Sequence, residues 1–354
     1  MKAVSLHSIV PVRAEASETS EQTTQMLFGE ICTIEEQKHR WMRVKLALDG
    51  QTGWVDAKMI AVLSADEYKS HSAALKTAAY VAFPMAYAVS ENNGQTIPLT
   101  AGTRLTNYHD GHFAVLGVGF RIDTSMVIEK PLEMIQQNLL QTMRFFLNVP
   151  YLWGGKNALG MDCSGFTQTI LSLFGHTLLR NASEQATQGR LISRLSSSKA
   201  GDLAFFCHYD ETAPQSDTNQ AAHKITHVGI LIDQERIIHC SGRVKIERID
   251  TTGIFSVEQS DSAHPNGQYT HRLLSIRRLK TENGFSKWLL YRFGQATVFV
   301  YSMQKICILC NVCFIIPITA TSAVDKRFLC SVFMHNMHFL LCIYPLSAFI
   351  RILV

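Results

Sequence analysis

Short apolar runs dominate the first 62 residues of the chain. They lie at residues 9–13, 26–28, 31–34, 41–46 and 53–55, and polar or glycine-containing turns separate them. Runs of this length that recur every ~8–12 positions are typical of short β-strands. The pattern predicts a small β-barrel over residues 1–63.

A weaker version of the same pattern follows between residues 66 and 127. The segment 99–105 reads Leu-Thr-Ala-Gly-Thr-Arg-Leu, and apolar runs at 113–116 and 120–122 come after it. Two adjacent copies would form an internal repeat of about 60 residues. We therefore expect a second small barrel over residues 64–127.

The periodicity becomes helical after Pro131, a residue type that suits the first turn of a helix. Apolar side chains then recur at helical spacing up to Asn148. They are Leu132, Ile135, Leu139, Met143, Phe146 and Leu147. We expect a second helix from about Asp162 to Phe174, and a third near residues 183–191.

Five strand-like segments complete this part of the chain. They lie at residues 202–206, 227–232, 237–240, 244–249 and 273–277. Helices that are followed by a run of antiparallel strands indicate an α+β domain. The predicted fold is therefore α+β over residues 128–280, behind two small barrels.

Two histidines flank a predicted hairpin turn at residues 233–235, Asp-Gln-Glu. If the turn is centred on Gln234, His227 pairs with Ser241. His239 then lies two positions along on the same face, because side chains alternate with period two. A two-residue turn without a bulge would instead place the histidines on opposite faces.

Cys163 stands where a glycine-containing loop turns into the second predicted helix. A helix N-terminus stabilises a thiolate through its unpaired N–H groups and dipole, and nearby N–H groups can bind an oxyanion. A lone cysteine is more often buried and inert. The histidines downstream favour an activated thiol instead, with His227 as base and His239 as its orienting group.

Four motifs occur in order: Asp-Cys-Ser-Gly-Phe at 162–166, Gly-Asp-Leu at 201–203, His-Val-Gly-Ile at 227–230 and Ile-Ile-His at 237–239. This order resembles the NlpC-type cysteine peptidases, and the Gly-Trp-Val strand at 53–55 resembles bacterial SH3 domains. The whole of residues 1–280 is similar to γ-D-glutamyl-L-diamino acid endopeptidases. The resemblance implies a papain-like domain that cleaves murein stem peptides beside D-glutamate, before either diaminopimelate or lysine.

The same resemblance implies roles for individual residues. Cys163 would be the nucleophile, His227 the base and His239 the third polar residue. The residues implied in substrate binding are Tyr151, Trp153, Asp162, Ser164, Ser183 and, from the first barrel, Glu15. The family also lends a tyrosine from that barrel, but residues 1–62 contain none. Recognition of a free α-amine would make the enzyme one of peptidoglycan turnover or recycling.

Two other functions remain open: a non-catalytic protein that binds wall peptides, and a thiol amidase or acyltransferase on the same fold. No metal or organic cofactor is implied. His208 and His223 flank a polar loop, and together with Cys207 and Cys240 they lack a recognised zinc spacing.

Residues 281–354 differ in composition from the rest of the chain. The net charge of +4 arises there, since 27 basic and 27 acidic residues balance over 1–280, which argues against a nucleic-acid surface. Residues 306–324 are uncharged and long enough to cross a bilayer. The tail therefore predicts a membrane hairpin or a frameshifted extension, and it is the only part that suggests membrane association. Cys307, Cys310 and Cys313 have the spacing of part of an iron–sulfur run, but Pro317 stands where a fourth cysteine would complete it.

The first residues contain no apolar run of signal-peptide length. Taken literally, this predicts a cytoplasmic protein. A start further upstream would predict the cell envelope or periplasm instead.

Overall fold

The computed structural model describes residues 1–209, 224–260 and 262–280, and beyond them four strands between residues 289 and 317. The chain divides into two compact units, Met1–Thr281 and Glu282–Val354. The first unit has the predicted α+β fold, with barrel-like sheets ahead of a mixed domain.

The first barrel is a seven-stranded antiparallel sheet in the order β3-β2-β6-β5-β4-β1-β7. The strands are β1 Lys2–Ser5, β2 Ile9–Arg13, β3 Gln22–Leu27, β4 Ile31–Lys38, β5 Trp41–Leu46, β6 Thr52–Asp56 and β7 Ile60–Leu63. The five predicted runs correspond to β2–β6. Strands β1 and β7 have only four residues each and were not predicted; they pair with each other, and β1 also pairs with β4.

A helix, α1 Ala65–Ala74, occupies the start of the segment predicted as the second barrel. Ser64 caps it by accepting from the backbone N–H of Glu67, whose carboxylate accepts from the backbone N–H of Ser64. This reciprocal capping box stabilises the first helical turn. The strands of the second barrel therefore begin only at Ala79.

The second barrel consists of two small antiparallel sheets, β10-β9-β13-β12 and β11-β8-β14. Its strands are β8 Ala79–Val81, β9 Met85–Ser90, β10 Thr96–Thr100, β11 Arg104–Leu105, β12 His112–Val115, β13 Val118–Ile122 and β14 Val127–Ile128. Its core is mainly aliphatic and contains the rings of Phe113 and Phe120, which stack at a centroid distance of 5.1 Å.

The α+β domain places helix α3 against a seven-stranded sheet, β17-β23-β18-β19-β20-β21-β22. Its helices are α2 Gln136–Arg144, α3 Cys163–Ser172 and α4 Ala182–Gln185. Its strands are β15 Lys156–Asn157, β16 Gly160–Met161, β17 Arg190–Ile192, β18 Leu203–His208, β19 His227–Leu231, β20 Arg236–Ser241, β21 Arg243–Ile249, β22 Gly253–Ser256 and β23 Gln268–Arg278. All the predicted strands are present. Helix α3 packs on β19 and β20, which brings its first residue to the sheet.

Two of the three predicted helices are shorter than expected. The segment before Gln136 is not helical, and the Leu132 N–H donates to the Leu173 carbonyl at the end of α3 instead of starting a helix. The helix predicted at 183–191 ends at Gln185, and Arg190–Ile192 pairs with β23. The turn between them contains Gly189 at φ +73°, where a Cβ would lie 2.5 Å from the Arg278 carbonyl oxygen.

Four strands of the second unit form an antiparallel sheet in chain order: β24 Leu289–Phe293, β25 Ala296–Tyr301, β26 Lys305–Cys310 and β27 Val312–Pro317. The N-terminal part of the predicted membrane segment 306–324 is thus a β-hairpin, and its remainder lies outside the described residues. In the part of the chain that the structure describes, no helix has the length and apolar character needed to span a membrane.

Candidate active site

Cys163 is the first residue of α3 and is almost fully buried. The helix begins there because Asp162 caps it, its Oδ1 accepting from the Gly165 N–H at 2.7 Å. Gly165 allows the preceding loop to approach closely, since a Cβ at this position would lie 2.1 Å from the Gly155 carbonyl oxygen. The Asp-Cys-Ser-Gly motif thus forms the start of α3, and its glycine packs closely against the preceding loop at Gly155.

The environment of the sulfur does not favour a resting thiolate. Burial and, to a smaller extent, the negative charge of Asp162 raise the pKa of the Cys163 thiol to about 12. The backbone N–H groups of Val228 and Ser164 and the charge of Arg180 act in the opposite direction, but they do not outweigh burial. The helix N-terminus does stabilise the anion through the Ser164 N–H, as expected, but burial is the larger effect. The thiol therefore needs a base. The Val228 N–H hydrogen-bonds to the sulfur, so Cys163 lies against strand β19, in which His227 is the preceding residue.

The two histidines lie on one face of the β19–β20 hairpin. Gly229 pairs with His239 and Leu231 with Ile237, so the turn is centred on Gln234. The predicted register is confirmed. Nε2 of His227 lies 2.8 Å from Nδ1 of His239, and both rings are buried.

Glu247 on strand β21 continues this chain of side chains. Nε2 of His239 lies 2.8 Å from Oε2 of Glu247, and Nζ of Lys245 lies 3.1 Å from Oε1. The prediction missed this carboxylate. A hairpin centred on Gly242 pairs His239 with Lys245 and brings Glu247 two residues along on the same face. The alternation argument used for the first hairpin would have found it.

The hydrogen bonds determine which nitrogens of the two imidazoles carry protons. A carboxylate only accepts, so Nε2 of His239 carries the proton and its Nδ1 is an acceptor. Nε2 of His227 must then donate to that Nδ1. Nδ1 of His227 is left with a lone pair, which is the form that can accept a proton from a thiol.

The protonation states agree with this assignment. Burial lowers the pKa of His227 well below its ordinary value, and the charges of His271 and His239 lower it further. Burial alone would raise the pKa of Glu247, but hydrogen bonds, above all that from His239, outweigh it and hold the pKa at about 2. The resting site therefore contains an ionised Glu247 and a neutral His227.

His271 on strand β23 is a third imidazole of the site, and the prediction missed it. Its ring centroid lies 4.2 Å from that of His227. Phe206 packs against both imidazoles. Burial lowers the pKa of His271 to about 3. The segment 268–272 carries too few apolar residues to be recognised as part of the strand.

A cavity of about 270 Å³ opens beside His227. It is lined by Tyr151, His208, Thr226, His227, Cys240, Ser241, Gly242 and His271. Tyr151 is held at its edge because its backbone N–H donates to the Gly242 carbonyl at 2.9 Å. Burial raises the pKa of the Tyr151 phenol, and the charges of Cys163 and Asp162 raise it further.

The residues that flank the sulfur are already engaged within the protein. Oδ1 and Oδ2 of Asp162 accept from Arg180 at 3.0 and 2.6 Å. Ser164 Oγ accepts from the same guanidinium at 2.8 Å. The proposed roles of Asp162 and Ser164 in substrate binding stay predictions, because both side chains are buried and paired with Arg180.

Trp153 contacts the first barrel. Its indole Nε1–H donates to Glu21 Oε1 at 2.5 Å, and Gln22 Nε2 donates to the Trp153 carbonyl at 3.2 Å. Glu15 lies exposed on the turn that precedes Glu21, and its backbone N–H donates to Ser20 Oγ. The acid of the first barrel that touches the predicted cleft is therefore Glu21. No sequence signal distinguished it from Glu15.

The remaining predicted positions are spread around the site. Ser183 is exposed on α4. His208 borders the cavity, and His223 lies outside the described residues. Among the residues whose side chains the structure describes, no group of three or more His, Cys, Asp or Glu could hold a metal ion.

Two regions of the chain match known family profiles. Residues 148–259 match the NlpC/P60 family, and residues 12–60 match the bacterial dipeptidyl-peptidase SH3 domain. Both matches cover the regions that the sequence motifs indicated.

Curated relatives include peptidases of different bond specificity. The chain is 27% identical over 228 residues to a γ-D-glutamyl-L-lysine dipeptidyl-peptidase of Bacillus subtilis, an alignment that covers 61% of this chain and 71% of the relative. It is 32% identical over 108 residues to the murein DD-endopeptidase MepS/murein LD-carboxypeptidase of Escherichia coli, covering 30% of this chain and 50% of that protein.

A solved structure of an NlpC/P60 family protein from Bacillus cereus aligns with a TM-score of 0.61 at 19% identity. It covers 78% of this chain and 99% of that one. At this identity the likeness supports the shared fold.

Proposed function

We propose that this chain, whose residues 148–259 match the NlpC/P60 family and whose residues 12–60 match the bacterial dipeptidyl-peptidase SH3 domain, is a cell-wall cysteine peptidase that hydrolyses the γ-D-glutamyl–diamino acid bond of murein stem peptides. The observation that carries the thiol chemistry is the hydrogen-bonded chain Glu247–His239–His227, which leaves a lone pair on Nδ1 of His227. The choice of bond is supported by the extended similarity to the B. subtilis γ-D-glutamyl-L-lysine dipeptidyl-peptidase.

The acylation step follows from these protonation states. Nδ1 of His227 takes the proton of the Cys163 thiol while the sulfur attacks the γ-carbonyl carbon of the substrate. Backbone N–H groups at the first turn of α3 bind the oxyanion, since the first N–H groups of a helix have no intrahelical acceptor. The C–N bond then breaks, and Nδ1 returns the proton to the leaving amine.

Deacylation repeats the sequence with water. His227 takes a proton from the water, whose oxygen attacks the thioester carbon, and the C–S bond breaks as the sulfur regains the proton. Glu247 stays ionised throughout, because its role is to orient His239 and to stabilise the transient imidazolium on His227.

The cavity beside His227 suits the leaving side of the substrate, because the departing amine must lie next to the nitrogen that protonates it. Imidazole, hydroxyl and backbone groups form its wall. The acyl side would extend from Cys163 towards Trp153 and the first barrel.

A free α-amine on the acyl side needs a carboxylate partner once it leaves water. Asp162 is a poor candidate, because Arg180 already neutralises it through two hydrogen bonds. Glu21 is better placed, since it contacts Trp153 and is not paired with a cation among the described residues. We therefore assign the ammonium contact to Glu21 in preference to Glu15.

Product analysis on L-Ala-γ-D-Glu-L-Lys and on its meso-diaminopimelate counterpart tests the bond. We expect L-Ala-D-Glu and the free diamino acid from the wild type and none from Cys163→Ala, while Cys32→Ala, a buried cysteine of the first barrel, stays active. Release of ammonia or acyl transfer without this cleavage would identify an amidase or acyltransferase. Binding without any product would identify a wall-peptide-binding protein.

The ammonium contact is tested by Glu21→Gln against Glu15→Gln. For the free-amine peptide, kcat/KM should fall about 2- to 5-fold in Glu21→Gln, the size expected for an ion pair to an exposed carboxylate. Glu15→Gln should match the wild type. With an N-acetylated peptide, the wild type and Glu21→Gln should be equally slow. A loss in Glu15→Gln alone would transfer the role to Glu15.

A further inference from the structure

Strand β3 of the first barrel lies along the loop that precedes the nucleophile. Gln25 Oε1 accepts from the backbone N–H of Lys156 at 3.0 Å and from Asn157 Nδ2 at 2.8 Å. A buried ion pair joins Lys156 Nζ to Glu30 Oε1 at 3.2 Å. The barrel thus contributes polar groups to the inside of the catalytic domain as well as to its surface.

Arg180 is the deepest of these connections, with a side chain only 1% exposed. Its Nε donates to Oγ1 of Thr24 in β3 at 2.8 Å. Its two terminal nitrogens donate to Asp162 and to Ser164, the residues on either side of Cys163. One guanidinium therefore joins the first barrel to both neighbours of the sulfur.

We propose that Arg180 is a positioning residue for the nucleophile, and that Thr24 of the first barrel holds it in place. Asp162 caps α3 and also accepts from the Gly154 N–H at 2.9 Å, so its orientation sets both the helix start and the cleft loop. The first barrel then determines where the sulfur lies, in addition to any contact with substrate. This inference requires Cys163 to be the nucleophile, but it does not depend on which bond is cleaved.

The charges around the sulfur support the same arrangement. The titratable groups whose charges act on Cys163 or respond to it are Asp162, Arg180, Tyr151 and Cys240. His227 lies on strand β19, whose Val228 N–H hydrogen-bonds to the sulfur. Burial is the main cause of the raised thiol pKa, Asp162 raises it further and Arg180 lowers it. A displaced guanidinium would leave Asp162 uncompensated next to the sulfur, so the thiol would become harder to ionise.

The test compares Thr24→Val with Thr23→Val. Thr23 is the neighbouring residue of β3, and its hydroxyl donates within the barrel to the Val12 carbonyl at 3.2 Å. The readouts are kcat/KM, kcat and the pH dependence of Cys163 alkylation by iodoacetamide, followed by mass spectrometry of the Cys163 peptide. Thr24→Val should lower kcat about tenfold, the size of one lost hydrogen bond to a charged group. It should also shift the alkylation midpoint upward by about half a pH unit.

Thr23→Val should leave all three readouts unchanged even if the barrel melts at a lower temperature. Equal effects of the two substitutions on kcat and alkylation would overturn the proposal, because the effect would then be one of barrel stability. Alkylation needs no peptide substrate, so a failure of the proposed bond specificity would leave this result intact.

Arg180→Lys provides a second variant that keeps the positive charge. Lysine cannot reproduce the fork that contacts Asp162, Ser164 and Thr24 together. We expect a roughly 100-fold lower kcat with a smaller alkylation shift than an uncharged replacement, Arg180→Gln, produces. Wild-type kcat in folded Arg180→Lys would contradict a positioning role.

Discussion

The substitution Glu247→Gln should inactivate the enzyme by inverting the tautomers of the two histidines. Lys245 Nζ lies 3.1 Å from Oε1 of Glu247 and can only donate hydrogen bonds. A glutamine at this position must therefore turn its carbonyl oxygen to Lys245 and its NH₂ group to His239. Nε2 of His239 becomes an acceptor, Nδ1 carries the proton, and His227 must accept through Nε2 and carry its own proton on Nδ1.

The base then presents N–H instead of a lone pair to the thiol. A wrong histidine tautomer costs a serine protease roughly 10⁴-fold in kcat, and we expect about 10³- to 10⁴-fold here, or about 4–5.5 kcal/mol in the activation free energy. The measurement is kcat on the tripeptide, with the melting temperature recorded to verify folding. The alkylation rate of Cys163 at neutral pH should fall in parallel, since His227 can no longer accept its proton.

A second substitution separates tautomer inversion from simple loss of charge. In Lys245→Met/Glu247→Gln the amide is free to flip, so its oxygen can accept from His239 and the original tautomers return. We expect the double variant to recover at least tenfold over Glu247→Gln, whereas Lys245→Met alone should be only mildly impaired. Glu247→Gln with more than a tenth of wild-type kcat, or a double variant no better than the single one, would refute the tautomer assignment.

Two further predictions concern stability. Burial depresses the pKa of His271 to about 3, so the unfolded state binds more protons than the folded one between about pH 6.5 and 3, and stability is lost as the pH falls through that window. The variant His271→Phe keeps a ring against Phe206 and should show a smaller difference in melting temperature between pH 7.5 and 4.5 than the wild type. An unchanged difference would contradict this. Gly165→Ala places a Cβ 2.1 Å from the Gly155 carbonyl oxygen, so it should lower the free energy of unfolding by about 1–3 kcal/mol and abolish most activity. The control is Gly117→Asn, which should be tolerated because Gly117 has φ +78° and no atom lies within 4 Å of a Cβ there. Denaturant unfolding checks the second pair, and equal stability of the two variants would be the contrary result.

The histidine hairpin could be predicted because side chains alternate between the two faces of a strand, so the number of residues between two positions determines whether they share a face. Once the turn was centred on Gln234, the common face of His227 and His239 followed from counting residues. Glu247 was equally accessible, since Gly242 marks the next turn. Helix α1 was not predicted, although the spacing of Ser64 and Glu67 is that of a capping box and could have indicated it.

Other features depended on packing between distant segments. The contact of Trp153 with Glu21 joins residues 132 positions apart, and nothing local separates Glu21 from Glu15. The raised pKa of Cys163 arises mainly from burial, which the helix-start argument did not include. Arg180 looks like a surface residue in the sequence, and its burial depends on contacts with Asp162 and with Thr24 of the docked barrel, both far away along the chain.

The turn between the two histidines also restricts how this domain can change its length. Loops usually accept insertions with little cost, because closing a slightly longer loop needs little extra entropy. Here an added residue can be absorbed only inside the turn, residues 232–235, because Leu231 and Ile237 are already paired. One residue added within either paired strand would turn the side chains beyond it to the opposite face and separate the two imidazoles, so a tag or a recognition loop can be grafted at the turn but not in the strands that flank it.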